Sequence, residues 1–198
     1  FDWDGVPLII SRTGWSSELG YEIFLRDGTQ GEKLWEHLMA VGGPLGLKPG
    51  HTSSIRRIEA GMLSYHADMT LANNPYEMGM GRLVDLDMEA DFISKAALTL
   101  IKERGVSQQL VGLEIDGDPF VGSNDFFWPI LKEGVKVGTV TSAIYSPRLQ
   151  KNIALAMISI DHTASGRVLQ VDKLSETRTC TVVPIPFYDP KKSLATAS

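Results

Sequence analysis

The sequence predicts an α+β protein of two domains, and three observations carry that prediction. Strand-like and helix-like hydrophobic periodicities are mixed up to residue 104, whereas from Gly105 onward only short β-type runs recur between turn residues. A length of 198 residues is enough for two ordinary domains, and 43% hydrophobic against 22% charged residues gives them cores to bury. The domains are therefore placed at 1–104, mixed α and β, and at 105–198, a β-barrel or sandwich.

Taken in order, VPLIISR at 6–12 is apolar and β-branched with Pro7 at its start, as a buried strand requires. The loop TGWSSELG follows, and then YEIFLR at 21–26, a strand whose alternation sets Glu22, Phe24 and Arg26 opposite Tyr21, Ile23 and Leu25. Leu34, Trp35, Leu38, Met39 and Val41 recur at helical spacing before the stop Gly42-Gly43-Pro44. A helix over 52–62 has Thr52, Ser53 or Ser54 to cap it and Ile55, Ile58 and Met62 on one face. DFISKAALTLIKER at 91–104 makes another helix, with Gly105 as a left-handed C-cap. Beyond it QQLVGLEI, PILKEGVKVGTVTSAI, NIALAMISI, RVLQVD and RTCTVVPIPF read as strands. Within them KEG at 132–134 is a hairpin turn with Gly134 at positive φ, and the polar tail DPKKSLATAS is expected to fray.

Composition narrows the function. Nineteen basic against 24 acidic residues give a net charge of −5, too weak a positive field for a nucleic-acid backbone or an anionic membrane. No apolar stretch is long enough to span a bilayer, and no basic segment with an apolar signal core opens the chain. Cys180 is the single cysteine, so no internal disulfide forms, and the cytoplasm is the expected compartment. The chain begins Phe1-Asp2-Trp3-Asp4 without Met and enters an apolar run at once, which reads as the interior of a longer polypeptide.

The supports of the commonest hydrolases are absent: there is no GxxxxGK[ST] loop, no HExxH helix and no GxSxG elbow. His37, His51, His66 and His162 lack metal-ligand spacing, so surface or capping roles are expected and no metal is assigned. Trp15, in a loop flanked by Gly14 and Gly20, precedes Glu22 by seven residues. An indole face holds a cation or flat heterocycle and a carboxylate accepts two parallel donors, so the pair suits a charged ring system. The alternative is a Trp that fills a gap between layers and a solvated strand Glu. Arg56 and Arg57 with Glu59 are either an anion contact or a salt-bridged helix surface. Tyr65, His66 and Asp68 either face a cleft or cap a turn, and the methionines from Met62 to Met88 read as core filling.

Five blocks in order then carry a resemblance. SRTGWSSELGYEIFL at 11–25, RIEAGMLSYHADMT at 57–70, NPYEMGMGRLVDLD at 74–87, ADFISKAAL at 90–98 and VGTVTSAIYSPRLQKNIALAMI at 137–158 resemble the folate-binding aminomethyltransferases, the glycine-cleavage T-protein family. The resemblance implies the latter part of a folate-binding α+β region followed by an antiparallel β-barrel, with tetrahydrofolate as cofactor. It gives Glu22 the hydrogen bonds to the pterin edge, with Phe24 and Tyr65 as further cofactor contacts. Trp15, where T-proteins commonly have Tyr, resembles the branch that demethylates dimethylsulfoniopropionate, a sulfonium cation, and Arg12 and Arg57 are the candidate donors for that substrate's carboxylate. The family's reactive-site aspartate is expected upstream of Phe1, so no catalytic residue is assigned. Three departures stand out: Ser53 replaces a T-protein arginine, Phe24 lacks the hydroxyl of the demethylases' Tyr, and His66 stands where the family's YGND-like turn has Gly. The expected activity is methyl transfer from a small sulfonium donor to folate, giving 5-methyltetrahydrofolate. The rivals are a glycine-cleavage aminomethyltransferase partnered by a lipoyl carrier protein, the folate domain of a dimethylglycine or sarcosine dehydrogenase, and a non-catalytic folate-binding protein.

Overall fold

A computed structural model describes every residue except 17, 51, 175, 197 and 198, so the role expected of His51 lies outside the described residues. The chain divides into two compact units, Phe1–Ser53 together with Lys192–Ser198, and Ser54–Lys191.

The first unit is a three-stranded antiparallel sheet in the order β1 (Asp2–Trp3), β2 (Val6–Ser11), β3 (Glu22–Leu25), followed by helix α1 (Gly31–Gly42). Leu8 pairs with Leu25, Ile9 with Phe24, Ile10 with Ile23 and Ser11 with Glu22. Period-2 alternation puts Ile9, Ser11, Glu22 and Phe24 on one face and Leu8, Ile10, Ile23 and Leu25 on the other. Leu8 is the one buried hydrophobic residue of this unit among those described. The apolar stripe of α1 forms where its spacing predicts, but Trp35 and Val41 stay exposed. The tail expected to fray carries one helical turn, α4 (Ser193–Thr196), among its described residues.

The second unit opens with α2 (Ser54–Glu59), shorter than the expected helix over 52–62. It stops because Gly61 takes φ 63° and the amides of Gly61 and Met62 turn back onto the carbonyls of Ile58 and Arg57. A long turn-rich segment leads to α3 (Lys95–Arg104), which begins four residues later than the pattern predicts because Ser94 is left-handed, φ 73°. Gly105 ends α3 with φ 77° and ψ 175°, an extended mirror conformation open to glycine alone and not the expected αL cap.

The β-type runs then resolve the choice between sandwich and barrel. Strands β4 (Gln108–Ile115), β5 (Trp128–Lys132), β6 (Val135–Ser146), β7 (Lys151–Ser159), β8 (Val168–Asp172) and β9 (Thr177–Val183) close into an antiparallel barrel in the order β4-β7-β6-β5-β8-β9. The β5–β6 turn has Glu133 at φ 52° and Gly134 at φ 82°, the paired positive values of a tight hairpin. Leu113, Ile130, Val140, Ala154, Ala156, Ile158 and Val171 fill the interior. On the outer side Ile153 and Leu155 of β7 meet Ile58 of α2 and Met78. Strand β7 is thus buried on both faces, which is why its sequence reads as an almost unbroken apolar run. Residues between Ile55 and Met80 pack on the barrel in this way and the division in packing falls at Ser53/Ser54, while the expected boundary at 104/105 marks the approach to the first barrel strand. Met69, Met78 and Met80 fill this outer core, and Met88 is exposed.

Candidate functional site

The expected cofactor residues Glu22 and Phe24 share one face of the first unit's sheet. The register places Ser11 beside Glu22 and Ile9 beside Phe24 on that face. The face is open: Glu22 is exposed, Phe24 is 51% and Ile9 50% exposed. A carboxylate therefore stands next to an apolar shelf formed by one aromatic and one aliphatic side chain. Thr13, two residues beyond Ser11, donates its hydroxyl hydrogen bond to Oε2 of Glu22, and its Oγ1 lies 3.0 Å from Oγ of Ser11. Among the described residues the carboxylate is held by a hydroxyl and faces no base, which leaves its charge for a ligand with N–H donors. Trp15 lies in the loop between β2 and β3 and is 44% exposed, and Arg12 directly follows β2 and is also exposed. The open apolar shelf beside an accepting carboxylate fits a flat ring whose edge carries adjacent donors.

Tyr65 and Arg57 belong to the second unit. Tyr65 is 49% exposed, and its ring packs edge-on against His66 with centroids 4.3 Å apart. Both sit at the tip of a turn closed by a bridge between Tyr65 and Met69, where His66 has φ 71°. That conformation explains why the family's motif has Gly at this place, and His pays a steric cost of about 1 kcal/mol to adopt it.

Arg57 departs from expectation. It is 8% exposed and lies inside the unit, where Nη1 donates to Oδ2 of Asp68 at 2.8 Å and to the Met62 carbonyl at 3.3 Å, and Nη2 donates to Oγ of Ser142 at 2.8 Å. With its guanidinium directed into this network it is withdrawn as a donor to a substrate carboxylate. Asp68 is the hub. Besides Arg57 it accepts from the Ser64 amide at 2.9 Å, Oγ1 of Thr141 at 2.7 Å and Oγ of Ser142 at 2.6 Å. Two consecutive hydroxyls of β6 reach one carboxylate because the register shifts between Val140 and Ser142, a bulge that turns Thr141 to the same side. Glu59 is also buried, bonded by Ser146 at 2.5 Å and faced by Arg148 at 3.6 Å. Arg57 and Glu59 are thus neither anion contact nor helix surface, and Asp68 caps a turn from within.

Sequence reasoning missed Thr13 and the reach of Asp68. Thr13 had little signal, since it lies in the loop beyond the end of β2, where strand alternation no longer fixes a side chain. Asp68 had none, because Thr141 and Ser142 stand 73 and 74 residues away.

No helix of the described residues is long and apolar enough to cross a membrane. Comparison with known proteins matches the chain in two parts that do not coincide with the packing division at Ser53/Ser54. A family model of the GCVT N-terminal domain matches residues 1–88, and one of the glycine cleavage T-protein C-terminal barrel domain matches residues 108–189. The chain is 37% identical over 180 residues to the dimethylsulfoniopropionate demethylase of Ruegeria pomeroyi, covering 91% of this chain and 48% of that protein. It is 36% identical over 192 residues to an aminomethyltransferase of Bacillus mycoides, covering 96% of this chain and 51% of the relative. The chain therefore spans about half the length of the curated relatives it matches. Its fold matches the crystal structure of the glycine cleavage system aminomethyltransferase T from Bartonella henselae with a TM-score of 0.77 at 19% identity, over 91% of this chain and 49% of that one. With both halves of its length matched by models of one family, and in the order that family has them, the chain belongs to the glycine-cleavage T-protein family.

Proposed function

We propose that this chain is part of a tetrahydrofolate-dependent one-carbon transferase that takes a methyl group from a sulfonium donor such as dimethylsulfoniopropionate, acting in the cytoplasm. The observation that carries the reading is the open face where Glu22 stands beside Phe24 and Ile9 with its carboxylate oriented by Thr13. Glu22 accepts the donors of the pterin edge, and Phe24 and Ile9 give the ring an apolar surface. When bound, tetrahydrofolate supplies the nitrogen that receives the one-carbon unit. Trp15 offers the sulfonium an indole face, an attraction worth on the order of 1–2 kcal/mol for a desolvated cation. Arg12 is the remaining candidate for the substrate carboxylate. Chemistry of this kind needs positioning more than an enzyme nucleophile, so the absence of base and nucleophile motifs is consistent with it. The 37% identity to a dimethylsulfoniopropionate demethylase supports the choice of donor.

The second reading is aminomethyl transfer from a lipoyl carrier protein, favoured by the 36% identity over 192 residues to an aminomethyltransferase. Turnover by the full-length natural protein separates the two. With tetrahydrofolate present, the proposal expects methyl transfer from dimethylsulfoniopropionate and none of comparable rate from an aminomethylated lipoyl carrier. Turnover with the carrier alone establishes the second reading, and turnover with neither rejects both.

A further inference from the structure

Resting on the folate reading, we infer that Thr13 is a positioning residue for Glu22 and that Ser11 orders Thr13 in turn. Ser11 and Glu22 are cross-strand partners on one face of the sheet, and Thr13, in the loop two residues beyond Ser11, brings its hydroxyl to both. Thr13 has a single hydroxyl proton. An ionised carboxylate carries none, so the proton of Thr13 lies toward Oε2 of Glu22. Oγ of Ser11 lies 3.0 Å from Oγ1 of Thr13, and with the Thr13 proton committed to Glu22 that contact requires the Ser11 proton. The chain runs in one direction, Ser11 to Thr13 to Glu22, and each donor strengthens the next. Without it an exposed Glu samples several rotamers, and a ligand must pay for choosing one. With it, one oxygen is held at the sheet and the rest of the carboxylate is left to accept. Thr13 touches no reacting atom in this scheme. It sets where the accepting oxygens point.

The test is a double-mutant cycle in the full-length natural protein, read as calorimetric affinity for tetrahydrofolate under anaerobic conditions. Glu22→Gln weakens binding by about tenfold or more, as loss of a charged acceptor should. Thr13→Val keeps the shape, removes the hydroxyl and weakens binding by about fivefold, while Thr13→Ser stays within about twofold of wild type. In the Glu22→Gln background Thr13→Val has no further effect. Ser11→Ala gives a second, smaller loss that does not depend on tolerance at Thr13. A Thr13→Val protein that binds as wild type does, or that loses the same factor with and without Glu22, overturns the inference while the folate reading stands. A wild-type protein that does not bind tetrahydrofolate, or is indifferent to Glu22→Gln, overturns both.

Discussion

Asp68 is bound by four donors, one for each lone-pair position of a carboxylate, and it joins the turn at 64–69 to α2 and to the bulged strand β6. Replacing it by Asn leaves the Arg57 guanidinium buried against a neutral partner. Asp68→Asn is expected to cost about 3 kcal/mol or more in urea denaturation, and a loss under about 1 kcal/mol would show that the ion pair carries little. Cys180 yields a second prediction at this scale. Burial pushes its thiol from 9.0 up to about 12. Its folded value lies above its unfolded one, so its contribution to stability is complete below the unfolded pKa and is lost as the pH climbs from about 9 toward 12. At pH 8 the native protein should leave a thiol reagent unreacted and the denatured protein should consume it; rapid native labelling contradicts the burial. Of the site residues, Glu22 and Phe24 were legible as sharing one strand face because alternation is a local rule. The employment of Arg57 was not, since its partners Asp68 and Ser142 are brought to it by turns and a bulge that no periodicity encodes.

Among the elements, the barrel strands overlap the runs read from the sequence, because a strand buried on the barrel interior must be apolar and its turns must carry residues tolerant of positive φ. The last run, RTCTVVPIPF, is strand only as far as Val183. The helix α2 shows where that reading ends. Its Arg57, Ile58 and Glu59 are buried in succession, a band wider than any amphipathic stripe, because the residues after β9 cross its end: the Glu59 carbonyl accepts from the amides of Phe187 and Tyr188. Two glycines of β6 and its hairpin separate two kinds of constraint. At Gly138 an added Cβ would lie 2.6 Å from the Met157 carbonyl oxygen and 2.9 Å from the Ile158 Cα, both backbone and unable to yield, whereas at Gly134 the space is open and only φ 82° opposes a side chain. Gly138→Ala should therefore cost about 2–3 kcal/mol and Gly134→Ala about 1 kcal/mol in chemical denaturation. The reverse order would mean that the β6–β7 pairing is looser than the structure has it.

For the molecule as a whole, the two units differ in what holds them. The second has an interior barrel core and an outer core under α2, while the first has one buried hydrophobic residue among those described. Hydrogen exchange should protect the amides of β4, β6 and β7 roughly a hundredfold or more over those of β2 and β3, and equal protection would contradict that contrast. The same openness leaves the face of Glu22 accessible, with Phe24 and Ile9 beside it. On the proposed function this carboxylate receives the nitrogen-rich edge of a reduced pterin. A crystal structure of the full-length natural protein with tetrahydrofolate tests it most directly. Glu22 oxygens are expected within about 2.7–3.2 Å of two pterin nitrogens, with the Thr13 contact kept. A pterin seated elsewhere, with Glu22 turned to solvent, would contradict it.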